Sequence, residues 1–189
     1  MHISSDRAGP RREGWWWSLL VLAGFTVAGW AFGALDSRIP SPSAVGVFWL
    51  GNLGSTWLVL PFVGGWVQRC RGWSSATGAA SCVAAMTGFF LLGGAMQPAA
   101  LSFAGPWLLV GALTGAVWGL FGERWGRTRS LLDGLALAVP FVLEPFAWAF
   151  ALGYTQGPYP IWYVEVAVGG ALVVWVTLAH RRRFRAAPP

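Results

Sequence analysis

The stretch Trp15-Trp16-Trp17-Ser18-Leu19-Leu20-Val21-Leu22-Ala23-Gly24-Phe25-Thr26-Val27-Ala28-Gly29-Trp30-Ala31-Phe32-Gly33-Ala34-Leu35 contains no charged side chain. Wound as a helix it is long enough for the ~30 Å of hydrocarbon in a bilayer. A barrel strand would be about half as long and would alternate apolar with polar residues. Lipid offers no hydrogen-bond partner, so a backbone crossing it must satisfy itself, and a helix does this within one segment. The stretch follows Arg7, Arg11 and Arg12, as the core of a signal peptide would. It is longer than such a core, and no Ala-x-Ala cleavage site follows, so it is read as a retained span. Trp15, Trp16 and Trp17 suit an anchor at the membrane interface.

Five further runs repeat the pattern: Ala44–Trp66, Trp73–Met96, Leu101–Gly122, Leu131–Leu152 and Ile161–Ala179. The expectation is an all-α membrane protein, a bundle of six transmembrane helices. Residues 1–14 form a basic N-terminal tail, 15–180 the membrane domain and 181–189 an Arg-rich tail. The bulk composition agrees. Hydrophobic residues make up 56% of the 189 and charged residues 11%, where soluble domains carry about a quarter charged. A water-soluble domain could not cover its surface with so few charges.

The net charge is +6, and every basic residue is Arg. Basic charge can signal nucleic acid, but here the Arg residues stand in short clusters between apolar runs. Arg7, Arg11 and Arg12 precede the first run, Arg69 and Arg71 follow the second, and Arg124, Arg127 and Arg129 follow the fourth. Arg181, Arg182, Arg183 and Arg185 follow the sixth, and only Arg38 falls on the other side. Positive charge stays inside, so both termini are expected in the cytoplasm and the chain in the cell (inner) membrane. The bilayer is the expected partner, with anionic lipid at the Arg-rich loops and no nucleic acid. Cys70 and Cys82 are expected as free thiols. His2 and His180 lie near the chain ends, so neither a metal nor a cofactor is expected.

A strongly polar side chain at bilayer depth costs roughly 2.5–3.5 kcal/mol on insertion scales and needs a reason. Four stand out. Glu144 lies between Pro140 and Pro145; each proline frees a backbone carbonyl, to which a protonated Glu144 could donate. It serves either as glue between helices or as part of a solute, ion or proton site. Asp133, three turns earlier, suits the positive end of its own helix. Asn52, with Thr56 one turn on, comes out about 12 Å below the outer surface, the same depth as Glu144. Glu165 lies roughly 6 Å deep, shallow enough to reach water at a solvated rim. Trp57 and Trp148 are candidate walls. Gly29 and Gly33, and Gly111, Gly115 and Gly119, form small-residue rows suited to close packing within the chain. Ser74, Thr77 and Ser81 form a hydroxyl row.

Enzymatic constellations are missing. Gly51-Asn52-Leu53-Gly54-Ser55 invites comparison with an intramembrane serine protease, but that chemistry needs a base beside the Ser, and neither His lies in a span. Asp133 and Glu144 are about 16 Å apart along one helix, too far to share a proton. The chain is not expected to be an enzyme.

Several residues carry a resemblance: Gly51-Asn52-x-Gly54-x-x-Trp57, then Phe62-x-x-Gly65, Gly88-Phe89-Phe90, Gly115-x-x-x-Gly119-Leu120-Phe121-Gly122 with the Arg-rich loop after it, and Glu144. With these the chain resembles a family of uncharacterised bacterial integral membrane proteins, a domain of unknown function found mainly in high-GC bacteria. The match runs from Ala44 to Trp148. The family usually shows Ser where this chain has Leu53, and a Tyr pair where it has Phe89-Phe90. The resemblance implies the six-helix fold and interest in Asn52, Trp57 and Glu144; it carries no activity. The functional expectation is binding or transport of a small solute or proton in the outer half of the bundle. Asn52, Thr56, Trp57, Glu144, Trp148 and Glu165 are its candidate site. The alternative is a non-catalytic structural or regulatory partner of another membrane protein.

Overall fold

The computed structural model describes residues 14–38, 54–68, 70–93, 101–151 and 160–185. They form seven helices: α1 (Gly14–Asp36), α2 (Gly54–Trp57), α3 (Val59–Gln68), α4 (Arg71–Leu92), α5 (Leu101–Thr128), α6 (Leu131–Ala151) and α7 (Pro160–Arg185). No strand occurs among the described residues. Four helical stretches, Gly14–Asp36, Arg71–Leu92, Ala104–Thr128 and Trp162–Arg183, are long and apolar enough to cross a membrane.

The second apolar run is not one helix in its described part. It breaks at Leu58, between α2 and α3. The cause is Pro61, whose nitrogen cannot bond back to the carbonyl of Trp57. The chain tightens there, with Leu58 N–H donating to Ser55 O at 3.1 Å. The Trp57 carbonyl is met instead by the Cys82 thiol at 3.8 Å. Two other helices run further than hydropathy suggests. α5 continues past Gly122 to Thr128, and α7 past Ala179 to Arg185. Charged residues end the apolar run without ending the helix.

α4 is the centre of the packing, with α1 on one flank and α5 on the other. Glycines set the spacing. Gly29 and Gly33 of α1 lie against the backbone of Ser81 and Ala85, while Gly115 and Gly119 of α5 lie against Gly78 and Ser74. A Cβ at any of these four would overlap a facing carbonyl. Apolar side chains gain little by leaving lipid for protein, so close backbone contact supplies the attraction that water would otherwise drive. The glycine rows are thus spent inside the chain, as their spacing suggests. α3 lies on α4 and α5, and α6 pairs with α7. Phe62, Trp125, Leu137 and Val176 form the core between these two groups. Leu20, Val27, Leu109, Leu113, Val174 and Leu178 are exposed, an apolar surface that lipid would cover.

One end of the molecule collects the basic residues. The Gln68 amide at the end of α3 donates to Ser18 O and to Thr77 Oγ1, each at 2.8 Å, which places the starts of α1 and α4 beside it. The hydroxyl row joins helices in part, with Ser81 instead donating to Gly78 O of its own helix at 2.9 Å. Ser74, Thr77 and Ser81 are buried, and Ser74 donates to Gly65 O at 3.1 Å. Arg129, at φ 52°, takes the left-handed position that closes α5, its N–H returning to Trp125 O at 3.0 Å; such caps usually use Gly. Its guanidinium lies over the rings of Trp66 and Trp125, 5.1 and 5.0 Å from their centroids, a cation–π contact that favours this residue at a strained place. His180 and Arg183 of α7 reach the carbonyls of Arg129 and Arg127.

Candidate functional site

The Trp118 indole of α5 donates to Ala136 O of α6 at 3.0 Å. That carbonyl is the one Pro140 leaves without its helical partner. The prolines of α6 therefore do free a carbonyl, and an indole takes it. Beyond this level a cavity of about 790 Å3 lies between the helices. α5 contributes Trp107, Val110, Gly111 and Thr114, and α6 contributes Pro140, Leu143, Glu144 and Ala147. Met86, Phe89 and Phe90 of α4 form the back, and Gly54, Ser55 and Trp57 of α2 form one end. Trp57 is held edge-on by Phe32 and Phe89, at 5.6 and 5.8 Å.

Glu144 ties α6 to α2. Its Oε1 accepts the Gly54 N–H at 2.5 Å and its Oε2 the Ser55 N–H at 2.6 Å. These are orphan donors of the first turn of a helix, so a carboxylate there completes the backbone. The reading in which Glu144 donates to a proline-freed carbonyl is replaced by one in which it accepts from backbone amides.

Glu165 corrects the expectation of a solvated rim. Its side chain is 2% exposed, and its Oε1 accepts the Ser55 hydroxyl at 2.7 Å. Depth along α7 was near enough to water, but the face it occupies is covered. Ser55 thus serves two carboxyls at once, by its N–H and its Oγ–H. The carboxyls of Glu144 and Glu165 therefore meet on one residue. No donor reaches Glu165 Oε2 among the described residues.

The remaining candidates divide. Asn52 lies outside the described residues, and its equal depth with Glu144 stays an expectation. Thr56 is half-buried on α2 and is not among the residues lining the cavity, whereas Trp57 is. Trp148 falls on α6. Asp133 does stand in the first turn of its helix, and its buried carboxylate also pairs with Arg124 at 3.3 Å. Ser55 was visible in the sequence only as a rejected nucleophile; nothing local reveals that two acids from distant segments meet on it. Trp107 gave no signal beyond its apolarity. Glu123, 1% exposed, was passed over because it looked like loop; it pairs with Arg127 at 3.0 Å one turn on. No group of three His, Cys, Asp or Glu side chains suited to a metal occurs among the described residues.

Comparison with curated proteins finds no match, and comparison with solved structures finds none. A family model covers the chain from residue 10 to residue 188. That span takes in both ends of the bundle and every residue of the Glu144–Ser55–Glu165 cluster, and the chain belongs to the family of unknown function DUF6518.

Proposed function

We propose that this protein crosses the membrane six times with its basic end in the cytoplasm, and that it binds a small solute in the cavity that ends on Glu144. One observation carries the reading: an apolar cavity of about 790 Å3, large enough for a small molecule, is closed at one end by a carboxyl that is already fixed in place. Ligand sites are commonly apolar hollows with a few well-placed polar groups. Fixing the polar group beforehand removes an ordering cost from binding. Asn52 is proposed as a further hydrogen-bonding partner of the solute, and Trp57 and Trp148 as walls. The Arg side chains of the basic end would meet anionic headgroups. Catalysis is not proposed.

The test is thermal unfolding of the purified chain in detergent against a broad panel of small solutes. A ligand is expected to raise the midpoint of the wild-type protein, and Glu144→Gln is expected to abolish that rise. A rise that persists unchanged in Glu144→Gln would remove Glu144 from the site and leave it as a link between α2 and α6.

A further inference from the structure

The cavity carries one sign of charge. Among the described residues that line it, Glu144 is the acid and none is Arg or His. The walls include Trp57, Phe89, Phe90 and Trp107. An anion brought here would give up its hydration and find no positive partner. A cation would gain the attraction of a carboxylate in a medium of low dielectric, and the faces of aromatic rings add to it. A carboxylate has about four acceptor sites, of which the amides of Gly54 and Ser55 take two.

A second acid stands directly behind the first. Glu165 touches Ser55 through Oε1, has no donor at Oε2 and makes no salt bridge among the described residues. Two carboxyls bridged by one serine, 2.6 and 2.7 Å from its N and Oγ, repel one another if both are ionised, and a single proton between them relieves the repulsion. A cation at Glu144 would supply the same relief.

Accepting the cavity as a ligand site, we infer that its ligand is a monovalent organic cation with an apolar body, taken up in exchange for one proton held between Glu144 and Glu165. The exchange balances. The O–H bond of the carboxyl breaks, its electron pair stays on oxygen, the proton passes to bulk water, and one positive charge enters as one leaves.

The experiment uses the full chain in detergent, with tetraphenylphosphonium as the probe, in weakly buffered solution containing a pH-sensitive dye. Saturable binding with release of one proton per cation is expected. Tetraphenylborate, the anion of the same shape, is expected not to compete. Glu144→Gln should weaken binding by at least roughly tenfold and abolish the proton signal. Glu165→Gln should retain binding but lose most of the proton release. Because Glu144→Gln also removes a link between helices, Thr114→Phe provides a second variant; it fills the cavity, leaves both acids intact and should weaken binding several-fold. Binding without proton release overturns the exchange. Equal binding of the anion overturns the charge selectivity while leaving a ligand site in place. If the phosphonium fails to bind but the solute panel yields another ligand dependent on Glu144, the cation inference alone falls. If the panel is empty as well, the site itself falls.

Discussion

At Ser55 a single side chain and its own amide hold two acids that are 21 residues apart in sequence on different helices, as their numbers 144 and 165 show. Neither acid could be assigned from its surroundings in the chain. Glu144 announced itself by standing between prolines at bilayer depth, and that much was legible. Its partner was not, because a backbone amide has no side chain to advertise it. Glu165 was misplaced because rise per residue gives depth along a helix and says nothing about which face is covered. Ser55→Ala tests the arrangement. It keeps the amide bond to Glu144 and removes the hydroxyl from a buried carboxyl, which is expected to cost about 1–3 kcal/mol. Unfolding in detergent, followed by the midpoint or by denaturant titration, measures it. A loss near zero would mean that water reaches Glu165 and replaces the hydroxyl.

Helices were the most legible part of the molecule, and their ends the least. The runs Trp15–Leu35 and Leu131–Leu152 coincide closely with α1 and α6, because unbroken apolarity of that length has little other use. α5 and α7 outrun their apolar stretches since Arg124 pairs with Asp133, Glu123 with Arg127 one turn on, and Arg183 reaches Arg127 O, and hydropathy measures solvent preference rather than helical continuity. The prolines acted as their chemistry dictates, freeing the carbonyls of Trp57 and Ala136, but the groups that answer them come from other helices. Trp118 and Pro140 should therefore be energetically coupled. Trp118→Phe alone is expected to cost about 1 kcal/mol through the lost N–H. In a Pro140→Ala background the new amide at 140 satisfies Ala136 O within the helix, and most of the hydrogen-bond part of that cost should vanish. A double-mutant cycle on unfolding free energies reads the coupling, and strict additivity would show that the indole bond contributes nothing.

The whole molecule is asymmetric from end to end. Arg124, Arg127, Arg129 and Arg183 meet at one end, and none of them lines the cavity. A membrane sorts such an object by charge. A phosphatase fused after residue 189 should be inactive and a fluorescent protein at the same point bright, since the first matures outside the cell and the second inside. An active phosphatase would invert the proposed topology and put the carboxyl pair in the inner half of the bilayer. The Trp118–Ala136 bond has a mechanical meaning as well. From Trp118 to Trp107 the helix extends about 16 Å beyond it, an arm of α5 that this bond fastens to α6 like a rivet. A turn of about 10° at the rivet moves the tip by about 3 Å, given an arm of that length. A small change of angle between the two helices is thereby enough to alter the width of the hollow between them.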